Sequence, residues 1–213
     1  MNKYHLIIDA SSAKTLVAYG TVDKIAVIRE WPAGFNLSRE LLPAIEKVLA
    51  RRGQPDAIFC VTGPGSFTGL RIAVSTANAL GYAWNIPVIP IEAFEIYEAN
   101  QKPPKRSYTV VLDNIKDLVY IKRVSKRKVR FAVEQVKSQR SKVKSEEFFG
   151  YISKEKQIIF GVKNKRLLAS PLSGRQRAEL ISQIGQGRLK GSCNFTKPIV
   201  PLYVNSPNIT LKK

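Results

Sequence analysis

The stretch VTGPGSFTGLRIA, Val61 to Ala73, decides how this chain is read. Three glycines and a proline fall between Gly63 and Gly69. The apolar run DAIFCV precedes them and the amphipathic run LRIAVSTANALGYAW follows. The order is strand, glycine-rich turn, helix. A loop of this kind can hold a phosphate, present a nucleophile, or only turn the chain. A P-loop needs a lysine on the phosphates at GxxxxGK[ST] spacing, and this loop has none. The dinucleotide pattern GxGxxG matches at Gly63 and Gly65 but meets Thr68 at its third glycine. In GSFTG the hydroxyl residues stand one place away from those of a nucleophile elbow. Ser66 would need a base, and the single histidine, His5, lies in an apolar run typical of a structural residue. What remains is backbone: glycines allow close approach, and a helix start offers unpaired N–H groups to an anion. The other reading is a tight strand-to-helix crossover, and the missing lysine weighs toward it.

Working outward, residues 4–9 read as a strand, and TLVAYGTVDKIAVIREW as two more that turn near Thr21–Asp23. The motif Asp9, Ser11, Ser12 at the first turn suits either a phosphate or metal-bound water, or an Asx-type turn. NLSRELLPAIEKVLARRG reads as a helix with Leu37, Leu41, Ile45, Val48 and Leu49 on one face. Asn36 or Ser38 can cap it, Gly53 can end it and Pro43 can kink it. In the second helix, about Gly69 to Trp84, the small residues Ala73, Ala77 and Gly81 recur every four positions and allow another backbone to approach. IPVIPI follows as a strand and EAFEIYEAN as a short helix. Asn100 to Ser107 is the expected linker. Beyond it, YTVVLDN, LVYIKRVS, KVRFAVEQV and QIIFGV read as strands, SEEFFGYIS as a short helix, and SGRQRAELISQIGQGRL as a helix ending near Gly185 or Gly187. The tail VPLYVNSPN is extended.

The 213 residues are 44% hydrophobic, enough for a normal core. Cys60 and Cys193 have no metal spacing, and Cys60 reads as a buried thiol. Neither a secretory leader nor a membrane span is expected, which points to a soluble cytoplasmic protein with no membrane partner. The formal charge of +19 is uneven. Residues 1–100 hold nine Lys/Arg and nine Asp/Glu, whereas residues 101–213 hold 26 and seven. Two lobes are expected, 1–100 and 101–213, the second strongly basic. Lys122 to Lys144 carries ten basic residues and one acid. Lys122, Arg123, Lys126, Arg127, Lys128 and Arg130 are candidate RNA contacts, against the alternative of a solvated lysine-rich surface.

Residues 63–80, GPGSFTGLRIAVSTANAL, resemble the signature of the TsaB (YeaZ) family, GPGSFTGLRIG before an Ala-rich helix, with Ala73 replacing the last glycine. IIDASSAKTLVAYG resembles its N-terminal IDTST…SVAL, departing at Ala10 and Ser12. SRELLPAIEKVL resembles SxxLLPxIxxxL, and VVLDNIKDLVYIKRV resembles VxxDARxGEVYxxxY without the Arg and Gly. VPLYVNSPN resembles the closing PxYLRN, differing at Val204 and Ser206. The likeness is strong over residues 1–95 and weak over 125–195.

The resemblance implies an α/β fold of the actin/hexokinase/Hsp70 (ribonuclease H-like) class, with two lobes built on mixed sheets. It implies a non-catalytic subunit in making threonylcarbamoyladenosine on tRNA beside the anticodon. The implied partners are a TsaD-like transferase and a TsaE-like ATPase, with tRNA met through the complex; for the chain alone, homodimer and monomer both stay open. TsaD-like members need an HxxxH metal motif, which one histidine cannot supply. No cofactor is expected on the chain alone, and ATP or ADP only at the joint interface. The first two helices are the pairing elements, making Leu41, Ile45, Val48, Ala73, Ala77, Leu80 and Gly81 the candidate contacts. Asp9, Ser11, Ser12, Gly63, Gly65, Ser66, Thr68 and Gly69 are the candidate anion loop. Two rival classes stand beside this: a small-molecule kinase of the same superfold using Asp9 as base, and a free-standing RNA-binding module.

Overall fold

The computed structural model describes residues 3–34, 36–103, 107–113, 118–125, 128–135, 148–151, 171–190 and 197–204. The chain divides into two compact units, Met1–Ile96 with Leu172–Leu202, and Tyr97–Pro171 with Tyr203–Lys213. The boundary expected near residue 100 thus lies close to the first crossing. The chain also crosses back at Leu172, which a single cut at 100 does not provide for.

The first unit is built on β1 (His5–Asp9), β2 (Lys14–Gly20), β3 (Ile25–Pro32), β4 (Ala57–Gly63) and β5 (Val88–Glu92). Their order is β3-β2-β1-β4-β5. The first three are antiparallel neighbours, and β1, β4 and β5 run parallel. All of β1 and β4 is buried, as strands covered on both faces must be. Leu6, Ile8, Ile58 and Cys60 point to α1 (Leu37–Leu49) and α2 (Phe67–Trp84). Burial pushes the Cys60 thiol pKa up, so it is an inert apolar filler. The alternate residues His5, Ile7, Asp9 and Phe59 face α4 (Gly174–Lys190), which returns from the far end of the sequence. A sheet of this order, covered on both faces by helices, has the ribonuclease H-like topology of the actin/hexokinase/Hsp70 class.

In α1 the apolar residues Leu37, Leu41, Ala44, Ile45 and Val48 share the buried face. The helix runs on through Pro43 and stops at Ala50, ahead of Gly53. Helix α4 continues through Gly185, because that residue lies against the Phe59 ring, where a Cβ would clash.

The second unit begins within α3 (Ala93–Gln101) and holds β6 (Tyr108–Asp113), β7 (Leu118–Ser125), β8 (Lys128–Gln135) and β9 (Phe148–Tyr151). Their order is β8-β7-β6-β9, with β9 parallel to β6 and the other pairs antiparallel. Both sheets are mixed, as expected. The short helix expected over SEEFFGYIS is replaced by β9. Phe148–Tyr151 is aromatic-rich and pairs along Thr109–Leu112, and sheet pairing outweighs so short a helical pattern. The expected QIIFGV strand lies outside the described residues.

Candidate functional site

The glycine loop packs against the turn between β1 and β2. The Ser66 N–H donates to the Ser11 carbonyl at 2.9 Å. A Cβ on Gly65 would overlap that carbonyl, and one on Gly69 would overlap the carbonyl of Ala10. Gly63 has φ +121°, in the region that favours glycine, and lies beside the Leu202 carbonyl. Ser66 caps α2: its Oγ accepts from the Gly69 N–H at 3.2 Å. The loop is thus a packed corner. Its glycines let two backbones meet, and its serine is a helix cap. Thr68 is exposed on the first turn.

Asp9 closes the same corner from the other side. One carboxylate oxygen accepts from the Ser11 N–H at 2.9 Å and the Ser11 hydroxyl at 2.6 Å, forming the Asx turn. The second oxygen meets Arg177 Nη1 at 2.5 Å. Only 1% of Asp9 and 6% of Arg177 are exposed. The guanidinium also donates to Ser12 Oγ at 2.9 Å, the Lys14 carbonyl at 3.3 Å and Glu30 Oε1 at 2.8 Å. Oxygens from three elements thus converge on one cation supplied by the chain itself. Arg177 is held there by the start of α4. Ser173 Oγ accepts from the Gln176 N–H while the Gln176 side chain accepts from the Ser173 N–H, a capping box. Nothing in the sequence points to Arg177 or Glu30, because 168 positions separate Arg177 from Asp9.

His5 stacks on Phe59 at 4.4 Å, with both ring nitrogens buried and without a hydrogen-bond partner. Desolvation lowers its pKa to about 4. It is a neutral core residue. Among the described residues no cluster of three or more His, Cys, Asp or Glu could hold a metal ion, and no helix is long and apolar enough to cross a membrane.

The structure corrects the candidate pairing residues. Leu41, Ile45, Val48, Ala73 and Ala77 are buried in the first unit's own core, and Gly81 is buried against Val88. Only Leu80 is partly exposed. The small-residue stripe serves α2's packing on its own sheet. The outward side of α2 instead carries Phe67, Arg71, Ser75 and Tyr82, with Tyr82 92% exposed. Ser38, Phe67, Thr68, Arg71, Ile72, Ser75 and Thr76 line a shallow cleft of about 480 Å³ there. Asn78 is committed elsewhere, bonded both ways to the backbone of Ile199 at 2.9 and 3.0 Å.

In the second unit Lys122 leaves the candidate RNA contacts. It is 8% exposed and pairs with Glu98 at 2.9 Å. Arg123 is half-buried, Lys128 and Arg130 are exposed, and Lys126 and Arg127 lie outside the described residues.

The family model described as TsaD, tRNA N6-adenosine threonylcarbamoyltransferase, matches residues 33–153, more than half of the chain. The chain belongs to this family. Haemophilus influenzae "tRNA threonylcarbamoyladenosine biosynthesis protein TsaB" is 33% identical over 105 residues, 44% of this chain and 42% of that one. A Burkholderia pseudomallei "tRNA N6-adenosine threonylcarbamoyltransferase" is 38% identical over 90 residues, 38% of this chain and 26% of that one. The chain therefore spans under half the length of these curated relatives. A solved structure of YeaZ from Pseudomonas aeruginosa has a TM-score of 0.67 at 21% identity, covering 94% of this chain and 99% of that one, and shares the fold.

Proposed function

We propose that this chain is a non-catalytic scaffold subunit in threonylcarbamoyladenosine synthesis on tRNA, pairing with a TsaD-like transferase and working with a TsaE-like ATPase. The observation that carries the reading is the Asp9–Arg177 contact at 2.5 Å. A kinase or phosphatase of this fold using Asp9 as base needs that carboxylate open to a nucleotide or substrate. Here it is buried, neutralised by a guanidinium and hydrogen-bonded by Ser11. The glycine loop likewise gives its closest approach to backbone rather than to a phosphate. Both features favour a scaffold over an enzyme. Any nucleotide would be held jointly with the partner. The pairing face is the outward stripe Phe67, Arg71, Ser75 and Tyr82 on α2 with Leu42 on α1, which presents apolar rings beside a cation and hydroxyls.

The test is co-purification with a TsaD-like protein and an assay of tRNA modification with and without this chain. Modification that needs the chain, together with no ATP turnover by the chain alone, supports the reading. ATP turnover that survives repurification and vanishes in Asp9→Asn refutes it.

A further inference from the structure

We propose that the outer edge of the second unit's sheet, Lys128–Phe131 of β8 with Arg123 of β7, binds an unpaired stretch of RNA. From the scaffold reading this takes only that the RNA is a tRNA.

The register defines the surface. Arg123 lies directly opposite Arg130, and Ser125 opposite Lys128, so three basic side chains gather on one face of the β7–β8 hairpin. Val129 and Phe131 alternate with them and point to the other face. That second face is partly covered, since Glu98 of α3 engages Lys122 and Tyr108 there. Val129 and Phe131 lie farther out and remain 53% and 38% exposed. Lys128 and Arg130 are exposed and form no ion pair among the described residues. Among the described residues β8 is the last strand of its sheet, so ligand atoms can reach both faces around one edge. The exposed Lys128 and Arg130 put positive charge on that face, which calls for a negative charge from a ligand. A phosphodiester supplies that charge, and the attached base reaches around the edge to an aromatic ring. Duplex RNA keeps its bases stacked inside and offers only the first half of this contact. The charge of the chain agrees, since its whole excess of +19 lies in residues 101–213.

Edge-strand charges also keep sheet edges from pairing with one another. That role predicts that the variants self-associate while their RNA affinity is unchanged. The experiment uses the full chain and a labelled unmodified tRNA transcript, with affinity measured at several salt concentrations. Lys128→Gln with Arg130→Gln should lower the magnitude of the log affinity–log salt slope by about 1.4–1.8, for two phosphate contacts at roughly 0.7–0.9 each. Phe131→Ala should weaken tRNA binding about fivefold or more, and a blunt RNA duplex less. Far-UV circular dichroism and co-elution with the TsaD-like partner should be unchanged, which separates this proposal from the scaffold reading. An unchanged slope in the folded double variant overturns the proposal, as does wild-type chain that binds no tRNA at low salt yet supports modification. Full competition by polyglutamate, with no effect of Phe131→Ala, also overturns it and assigns the edge to an acidic protein.

Discussion

Replacing Arg177 with alanine tests the core of the functional reading. The substitution removes the guanidinium's hydrogen bonds to Asp9, Ser12, the Lys14 carbonyl and Glu30. It leaves Asp9 buried with an uncompensated charge. Breaking a buried pair by deleting one partner costs about 3–5 kcal/mol. Asp9 retains its two bonds from Ser11, and Glu30 is partly exposed and can rehydrate, which places the loss near the lower end, about 3 kcal/mol. For a unit of this size about 1 kcal/mol corresponds to roughly 4 °C in Tm, so a drop on the order of 12 °C is expected. Asp9→Asn in the same chain removes the stranded charge and should recover more than half of the loss. Urea denaturation of the four proteins of this cycle at pH 7 gives the coupling energy directly. A loss under about 1 kcal/mol in Arg177→Ala, or no recovery in the double variant, would refute the view that the guanidinium is the resident counter-charge of Asp9.

Gly65→Ala and Gly69→Ala should each prevent stable folding or cost several kcal/mol, because the backbone carbonyls they meet, of Ser11 and Ala10, lie in the tightly packed turn after β1; thermal melts check this. Ser66→Ala should cost only about 1 kcal/mol, the loss of a helix cap, and should leave partner pairing and tRNA modification intact. His5 is neutral when folded, with a pKa near 4 against 6.5 when unfolded. The unfolded chain therefore binds the extra proton between those values, and stability should fall by about 3 kcal/mol as pH drops from 6.5 to 4. Urea midpoints across this range should show a weaker slope in His5→Leu than in the wild type. Tyr82→Glu should leave the Tm unchanged and weaken pairing on the order of 30-fold or more, whereas Ala77→Arg should unfold the chain; pull-down with circular dichroism separates them.

Local chemistry is legible in the sequence. The glycine spacing marks the β4–α2 crossover, the Asp9–Ser11 pair suits the Asx turn between β1 and β2, and the apolar faces of α1 and β4 follow from periodicity. The stripe Ala73, Ala77, Gly81 announces a close-packing face but not its neighbour, which is the sheet and not a partner. Close approach to one's own sheet and to a partner helix require the same residues. Phe148–Tyr151 is too short for either period to decide. The Asp9–Arg177 pair is illegible for a different reason. Each residue looks ordinary alone, and only the return of α4 brings them together.

That return has a consequence for biosynthesis. A ribosome making this chain completes all five strands of the first sheet by Glu92, but does not finish α4 until Lys190. At about 5–20 residues per second, the half-built layer spends on the order of 5–20 s with Ile7, Phe59 and an unanswered Asp9 facing solvent. The nascent chain is thus a natural client for a chaperone during that interval. An expression fragment cut near residue 100 would be held in that unfinished state permanently.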